Sequence, residues 1–200
     1  LSTSHPIETD VSSARLAMDN FDGITYAKGA SALKQLWFLV GNEAYQRGVA
    51  AYFKQHAWQN ATRSEFMASI AQAYGQDLDS WTETWLKTAG LSQMSVDFEC
   101  DTGMVRRATL RQEPINAPVL SAHKTQLALF HVNAAGKLER GDLVPVNYDG
   151  AHTEILGMTG KPCPDFVYPN YGDMDYGLFF LDPLSYATVV KQLPAVEDPF

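Results

Sequence analysis

The sequence predicts an α+β chain in two parts, a helical first stretch followed by an antiparallel β-sandwich. Through about residue 90 the apolar residues recur at three and four, the spacing of a helix face. After Leu91 that period falls to two, with Met94, Val96 and Phe98 alternating with polar residues. The punctuation changes with it, from helix caps to tight turns such as Asp101-Thr102-Gly103 and Asp149-Gly150.

In chain order, residues 1–19 read as an extended start with a short helical piece at 13–18. The polar turn Asp22-Gly23 then feeds a helix over 26–40, with Ala30, Leu33, Trp37 and Val40 as its buried face. Gly41 sits where a left-handed C-terminal cap is wanted. Asn42 can cap a second helix to about Gln55, with a stripe of Ala44, Tyr45, Gly48, Val49, Tyr52 and Phe53. Thr62-Arg63-Ser64-Glu65 has the form of a capping box and opens a third helix to Tyr74, with Phe66, Ile70 and Ala73 inward. Gly75 stops it. Asp77 caps a fourth over 78–88, carrying Leu78, Trp81, Trp85 and Leu86 on one face, and Gly90 ends it.

Strands are expected at 94–100 and 104–112, then at 125–132 beyond a Pro-containing loop over 113–121. Asn133–Lys137 makes a hairpin loop. Leu143–Tyr148 and Ala151–Leu156 read as a second hairpin about Asp149-Gly150, with further strands at 166–168 and 176–181. Several short strands in about ninety residues suggest a sandwich. Asp182 or Ser185 opens a last helix to about Lys191, before Pro194 and a frayed end. The expected domains are 1–91 and 92–200.

Composition narrows the function. A formal charge of −8 and a pI near 5.0 argue against nucleic acid or an anionic membrane as partner. No apolar run is long enough to span a bilayer, and Leu1–Asp10 lack the charged and apolar regions of a signal peptide. The compartment stays open. Cys100 and Cys163 lie too far apart in sequence to say whether they are bridged.

The candidate chemistry is sparse. No two of His5, His56, His123, His131 and His152 stand four apart. His123 and His131 on one strand would be separated by roughly 26 Å at about 3.3 Å per residue, too far to share an ion. All five read as surface or packing histidines, with His5 set apart by its nearness to Tyr26. There is no Gly-x-Ser-x-Gly elbow and no phosphate-cradling Gly loop. Tyr171, Asp173, Asp175 and Tyr176 read as a solvated loop, and Trp37, Trp58, Trp81 and Trp85 as core.

One stretch points further. Phe21-Asp22-Gly23-Ile24-Thr25-Tyr26-Ala27-Lys28-Gly29-Ala30-Ser31 resembles the tyrosine segment of the M1 (gluzincin) zinc aminopeptidases, the aminopeptidase N family. His5-Pro6-Ile7 upstream, and Asn60-Ala61-Thr62, Trp81 to Trp85 and the β pattern downstream, fall in family order. The resemblance implies that the helical part is the C-terminal portion of a thermolysin-like catalytic domain, and that Asp198-Pro199 leads toward a further helical domain. It implies that Tyr26 is catalytic, donating a hydrogen bond to the scissile carbonyl oxygen, and that Phe21 binds substrate at the pocket for its first side chain. Lys28 and Gly29 would shape the helix start.

The family's zinc site needs His-Glu-x-x-His, a further carboxylate and a Gly-x-Met-x-Asn strand, and this sequence contains none of them. The resemblance therefore implies a fragment lacking the zinc-binding half. The metal, its ligands and the general-base Glu would lie upstream, the substrate would be a peptide, and this chain alone would be inactive. The alternative is a non-enzymatic docking module that keeps the family fold.

Overall fold

The computed structural model describes residues 4–117 and 120–192, and the chain divides into two compact units, Leu1–Ala89 and Gly90–Phe200. It is α+β, with a helical part followed by a β-rich part. Pro118 in the loop, Pro194 and Asp198-Pro199 lie outside the described residues.

The first unit contains α1 (Ala14–Asp19), a π-helical turn (Ile24–Lys28) running directly into α2 (Gly29–Val40), then α3 (Asn42–Gln55), α4 (Arg63–Tyr74) and α5 (Asp79–Leu86). The caps are local chemistry. Ser13 Oγ accepts from the Leu16 amide. Thr62 and Glu65 complete the capping box reciprocally, and Gly75 closes α4 in the left-handed conformation at φ +79°. Asp77 acts one position earlier than expected, accepting from Asp79 N at 2.6 Å while Leu78 is the N-cap. Gly41 has φ +86° but ψ 152°, a positive-φ exit outside the left-handed helical region.

Packing corrects several faces. α2 buries Ala32, Gln35, Leu36 and Val40, whereas Ala30 and Leu33 are exposed. α4 turns Met67, Ser69 and Ile70 inward, with Phe66 and Ala73 only partly covered. Gly48 of α3 meets α4 so closely that a Cβ there would lie 2.8 Å from Ile70 Cδ1. Trp81 and Trp85 are buried and stacked with centroids 5.6 Å apart. Trp58 is not core: it is fully exposed, at φ +62°.

The second unit is a sandwich of two sheets closed by α6 (Pro183–Gln192). Its strands are β1 (Leu91–Asp101), β2 (Met104–Ile115), β3 (His123–Val132), β4 (Leu138–Tyr148), β5 (His152–Glu154), β6 (Phe166–Tyr168) and β7 (Leu178–Phe180). One sheet has the order β5-β2-β1-β7 and the other β4-β3-β6. Met94, Val96, Ala108 and Leu110 of the first pack on Leu127, Leu129, Val144 and Val146 of the second. The outer face of β3 and β6, Phe130 and Phe166, packs against Val189 of α6. Asp182 caps that helix, accepting from the amides of Leu184 and Ser185.

The hairpin expected about Asp149-Gly150 does not form. β4 pairs with β3, while β5 crosses to the other sheet and pairs with β2. Val144 and Val146 therefore face the core from one layer, and Ile155 enters it from the other side. β7 runs parallel to β1, whereas the other strand pairs among the described residues are antiparallel. Cys100 and Cys163 are bridged, tying the β1–β2 hairpin end to the loop before β6.

Candidate active site

Tyr26 stands on an unusual piece of backbone. Asp22 Oδ1 accepts from the amides of Ile24 (2.9 Å) and Thr25 (3.1 Å), using the carboxylate to satisfy donors that a helix start leaves open. The turn that follows is π-helical, with the Gly29 amide donating to Ile24 O. Single π turns are rare and concentrate at functional sites. This one sends Lys28 inward, 6% exposed, and leaves Tyr26 56% exposed. Lys28 Nζ donates to Thr88 O at 3.3 Å, and burial pulls its ammonium below the ordinary 10.5.

The structure brings Phe21 and Tyr26 together. Their ring centroids are 5.0 Å apart in an edge-to-face arrangement, and Phe21 is also exposed. Beside them lies an open, largely apolar groove of 610 Å³, lined by Ile7, Glu8, Thr25, Tyr26, Gly29, Ala30, Leu33, Arg63 and Leu86. The helical period of Tyr26, Ala30 and Leu33 was visible in the sequence, but it marks this groove rather than the core. Ile7 lies in the His5-Pro6-Ile7 segment that the resemblance picked out, whereas Arg63 and Leu86 carried no sequence signal for the groove, because they come from separate helices.

The segment around His5 braces the site. His5 Nε2 lies 3.0 Å from Asp22 Oδ2, and Asn20 Nδ2 donates to Thr9 Oγ1 at 2.8 Å. Thr25 Oγ1 donates to Asn20 O. Ile7 reaches Gly29, whose Cβ would lie 3.9 Å from Ile7 Cγ2. Glu8 N donates to Leu86 O, and the Glu8 carboxylate pairs with Arg63 at 2.6 Å. The Thr25 amide and then His5 hold the Asp22 carboxyl below its ordinary 3.8. His5 is thus joined to the tyrosine turn, and is not simply a surface or packing residue.

The other candidates resolve differently. Among the described residues no group of three or more His, Cys, Asp or Glu side chains could hold a metal ion, so these residues do not fit a zinc site. The loop of Tyr171, Asp173 and Tyr176 is partly solvated, with Asp173 exposed, but Asp175 is not. The Asp175 carboxylate is buried, taking His123 Nδ1 at 2.7 Å, Tyr148 OH at 2.5 Å and the Tyr176 amide at 2.8 Å. The His123 and Tyr148 rings stack 5.1 Å apart. Burial, then the Asp175 charge, pushes the Tyr148 phenol well above its ordinary value. This network satisfies itself inside the sandwich.

No helix among the described residues is long and apolar enough to cross a membrane. Residues 1–85 match the peptidase family M1 domain. Aminopeptidase N of Streptomyces lividans is 39% identical over 96% of this chain and 24% of its own length. Probable aminopeptidase 1 of Sulfurisphaera tokodaii is 34% identical over 80% of this chain and 21% of its own length. Aminopeptidase M1 of Arabidopsis thaliana is 36% identical over 50% of this chain and 11% of its own length. The chain thus spans at most about a quarter of these relatives. With the domain match over the Tyr26 segment and 39% identity along nearly its whole length, the chain belongs to peptidase family M1.

Proposed function

We propose that the chain is the Tyr26-bearing part of a zinc-dependent aminopeptidase that removes N-terminal residues from peptides. Residues 1–91 form the helical end of its catalytic domain and 92–200 its β-sandwich domain. The supporting observation is the exposed Tyr26 on a braced π turn, with Phe21 at its edge and an apolar groove beside it. Tyr26 donates to the scissile carbonyl oxygen as that oxygen gains negative charge, and Phe21 borders the pocket for the first side chain. A donor aimed where charge develops stabilises the transition state more than the bound substrate.

Zinc dependence is a general property of the family. The described residues offer no ligand set for the ion. In this proposal its ligands and the general base belong to the preceding half of the catalytic domain, and a helical domain follows the sandwich. Alone, the chain hydrolyses no aminoacyl reporter.

The test is Tyr26→Phe in the intact enzyme. Removing the hydroxyl keeps the Phe21 contact and should lower kcat by about 10²–10³ with KM little changed. A folded Phe variant with full kcat would make Tyr26 a surface aromatic and end this assignment.

A further inference from the structure

The two ring nitrogens of His5 carry a constraint. Nδ1 lies 2.6 Å from the Pro6 carbonyl oxygen and Nε2 3.0 Å from Asp22 Oδ2. A carbonyl and a carboxylate only accept, so both nitrogens must donate. Neutral imidazole has one N–H, and only the imidazolium satisfies both partners. Asp22 spends its other oxygen on the Ile24 and Thr25 amides, the first donors of the Tyr26 turn. One carboxylate thus joins the proton on His5 to the backbone presenting Tyr26.

We propose that His5 is a positioning residue for Tyr26: its imidazolium, gripped between the Pro6 carbonyl and Asp22, locks the turn, so that the presentation of Tyr26 depends on one proton. The proposal rests on the catalytic role of Tyr26 given above. The charged groups facing His5 are Asp22, which favours the imidazolium, and Lys28, which opposes it. The Pro6 carbonyl first, then Asp22, raise the His5 imidazole above its ordinary 6.5. With a raised folded value, the stabilisation is complete below 6.5 and is lost as pH rises through the folded value. On the acid side Asp22, held below 3.8, releases the turn only as pH falls through its own lowered value. The lock is therefore closed in acid-to-neutral solution and opens on the alkaline side of histidine titration.

A purely local brace predicts no such window. Once His5 is neutral one of its two bonds is lost, and Thr9–Asn20, Ile7–Gly29 and the contacts of Glu8 with Leu86 and Arg63 are left to hold the segment. Asp22 can still cap Ile24 and Thr25, so the turn loosens rather than unfolds.

The intact enzyme is the object of the test, with wild type, His5→Gln, His5→Ala and Asp22→Asn compared across both sides of the ordinary histidine value. Glutamine donates to Asp22 without titrating, and asparagine caps the amides without charge. His5→Ala should lower kcat about tenfold with KM nearly unchanged, the scale expected when a catalytic group is displaced by less than an ångström. His5→Gln should recover most of that loss and lack the alkaline fall of kcat expected of wild type. Independently of activity, the His5 ring signal in 13C-histidine-labelled protein, identified by its absence from His5→Gln, should titrate above 6.5 and move back toward it in Asp22→Asn. Protection of the Ile24 and Thr25 amides from exchange, taken relative to the intrinsic base-catalysed rate at each pH, should fall over the same pH interval in wild type and stay level in His5→Gln.

Superimposable pH profiles and exchange rates for wild type and His5→Gln would overturn the lock. If the exchange and titration results hold but Tyr26→Phe keeps full kcat, the lock stands and the catalytic role of Tyr26 falls instead.

Discussion

Replacing Asp175 by alanine strikes the most heavily used carboxylate in the sandwich. Three donors converge on it, from His123, Tyr148 and the Tyr176 amide, and both side-chain partners are buried. Removing the acceptor strands all three at once. Each buried unsatisfied group costs about 1–3 kcal/mol, and breaking a buried pair from one side costs about 3–5 kcal/mol. The larger figure applies here, because water has little access to refill the site. Tyr148→Phe removes a single donor and leaves the carboxylate two others, so it should cost only about 1 kcal/mol. Thermal unfolding followed by circular dichroism reads the difference. Asp175→Ala should lower the Tm of the β unit on the order of 10–20 °C, Tyr148→Phe by a few degrees. Exchanging the Asp175, His123 and Tyr148 side chains for apolar ones of similar volume should do less harm than Asp175→Ala alone, since it strands only the Tyr176 amide. An Asp175→Ala protein within about 1 kcal/mol of wild type would refute the reasoning, and His123 and Tyr148 would then count only as packed rings.

Two further outcomes test the packing. Gly48→Val should destabilise the helical unit by roughly 1–3 kcal/mol in urea denaturation, because even the first added carbon lies 2.8 Å from Ile70 Cδ1 and 2.9 Å from Ile70 Cα. The gain of about 1 kcal/mol from replacing a helical glycine is too small to offset it, and a stabilised variant would contradict this helix contact. Replacing both Cys100 and Cys163 by serine opens a bridge spanning 63 residues and should cost the β unit roughly 2–4 kcal/mol. Urea midpoints of the wild type with and without reductant should differ by a matching amount, and identical midpoints would contradict the bridge.

The sequence by itself determined what is decided within about four residues. The Thr62–Glu65 capping box, the Asp182 cap, the αL stop at Gly75 and the turn at Thr102-Gly103 all follow from hydrogen bonds or backbone angles that neighbours supply. The change of period at Leu91 likewise follows from side chains projecting at 3.6 or at 2. Tyr26 and Phe21 were singled out as candidates by their motif, and their edge contact follows from a separation of five residues across one turn.

Tertiary structure alone decided which surfaces meet. α2 is apolar on much of its circumference, so Ala32-Leu36-Val40 and Ala30-Leu33-Trp37 are equally periodic, and only the neighbouring helices select the first set. β5 left the hairpin that its turn allowed because Thr153 and its neighbours pair with β2, a choice between partners of similar local quality. Asp175 reads as a loop acid until His123 and Tyr148 arrive from strands 52 and 27 residues away. His5 reaches Asp22 across 17 residues in the same way, and Cys100 reaches Cys163 across 63. Capping energies are fixed by atoms a few bonds apart, whereas burial and ion pairing depend on what else comes near. The fold completes those long-range encounters, and the brace around Tyr26 is one of them.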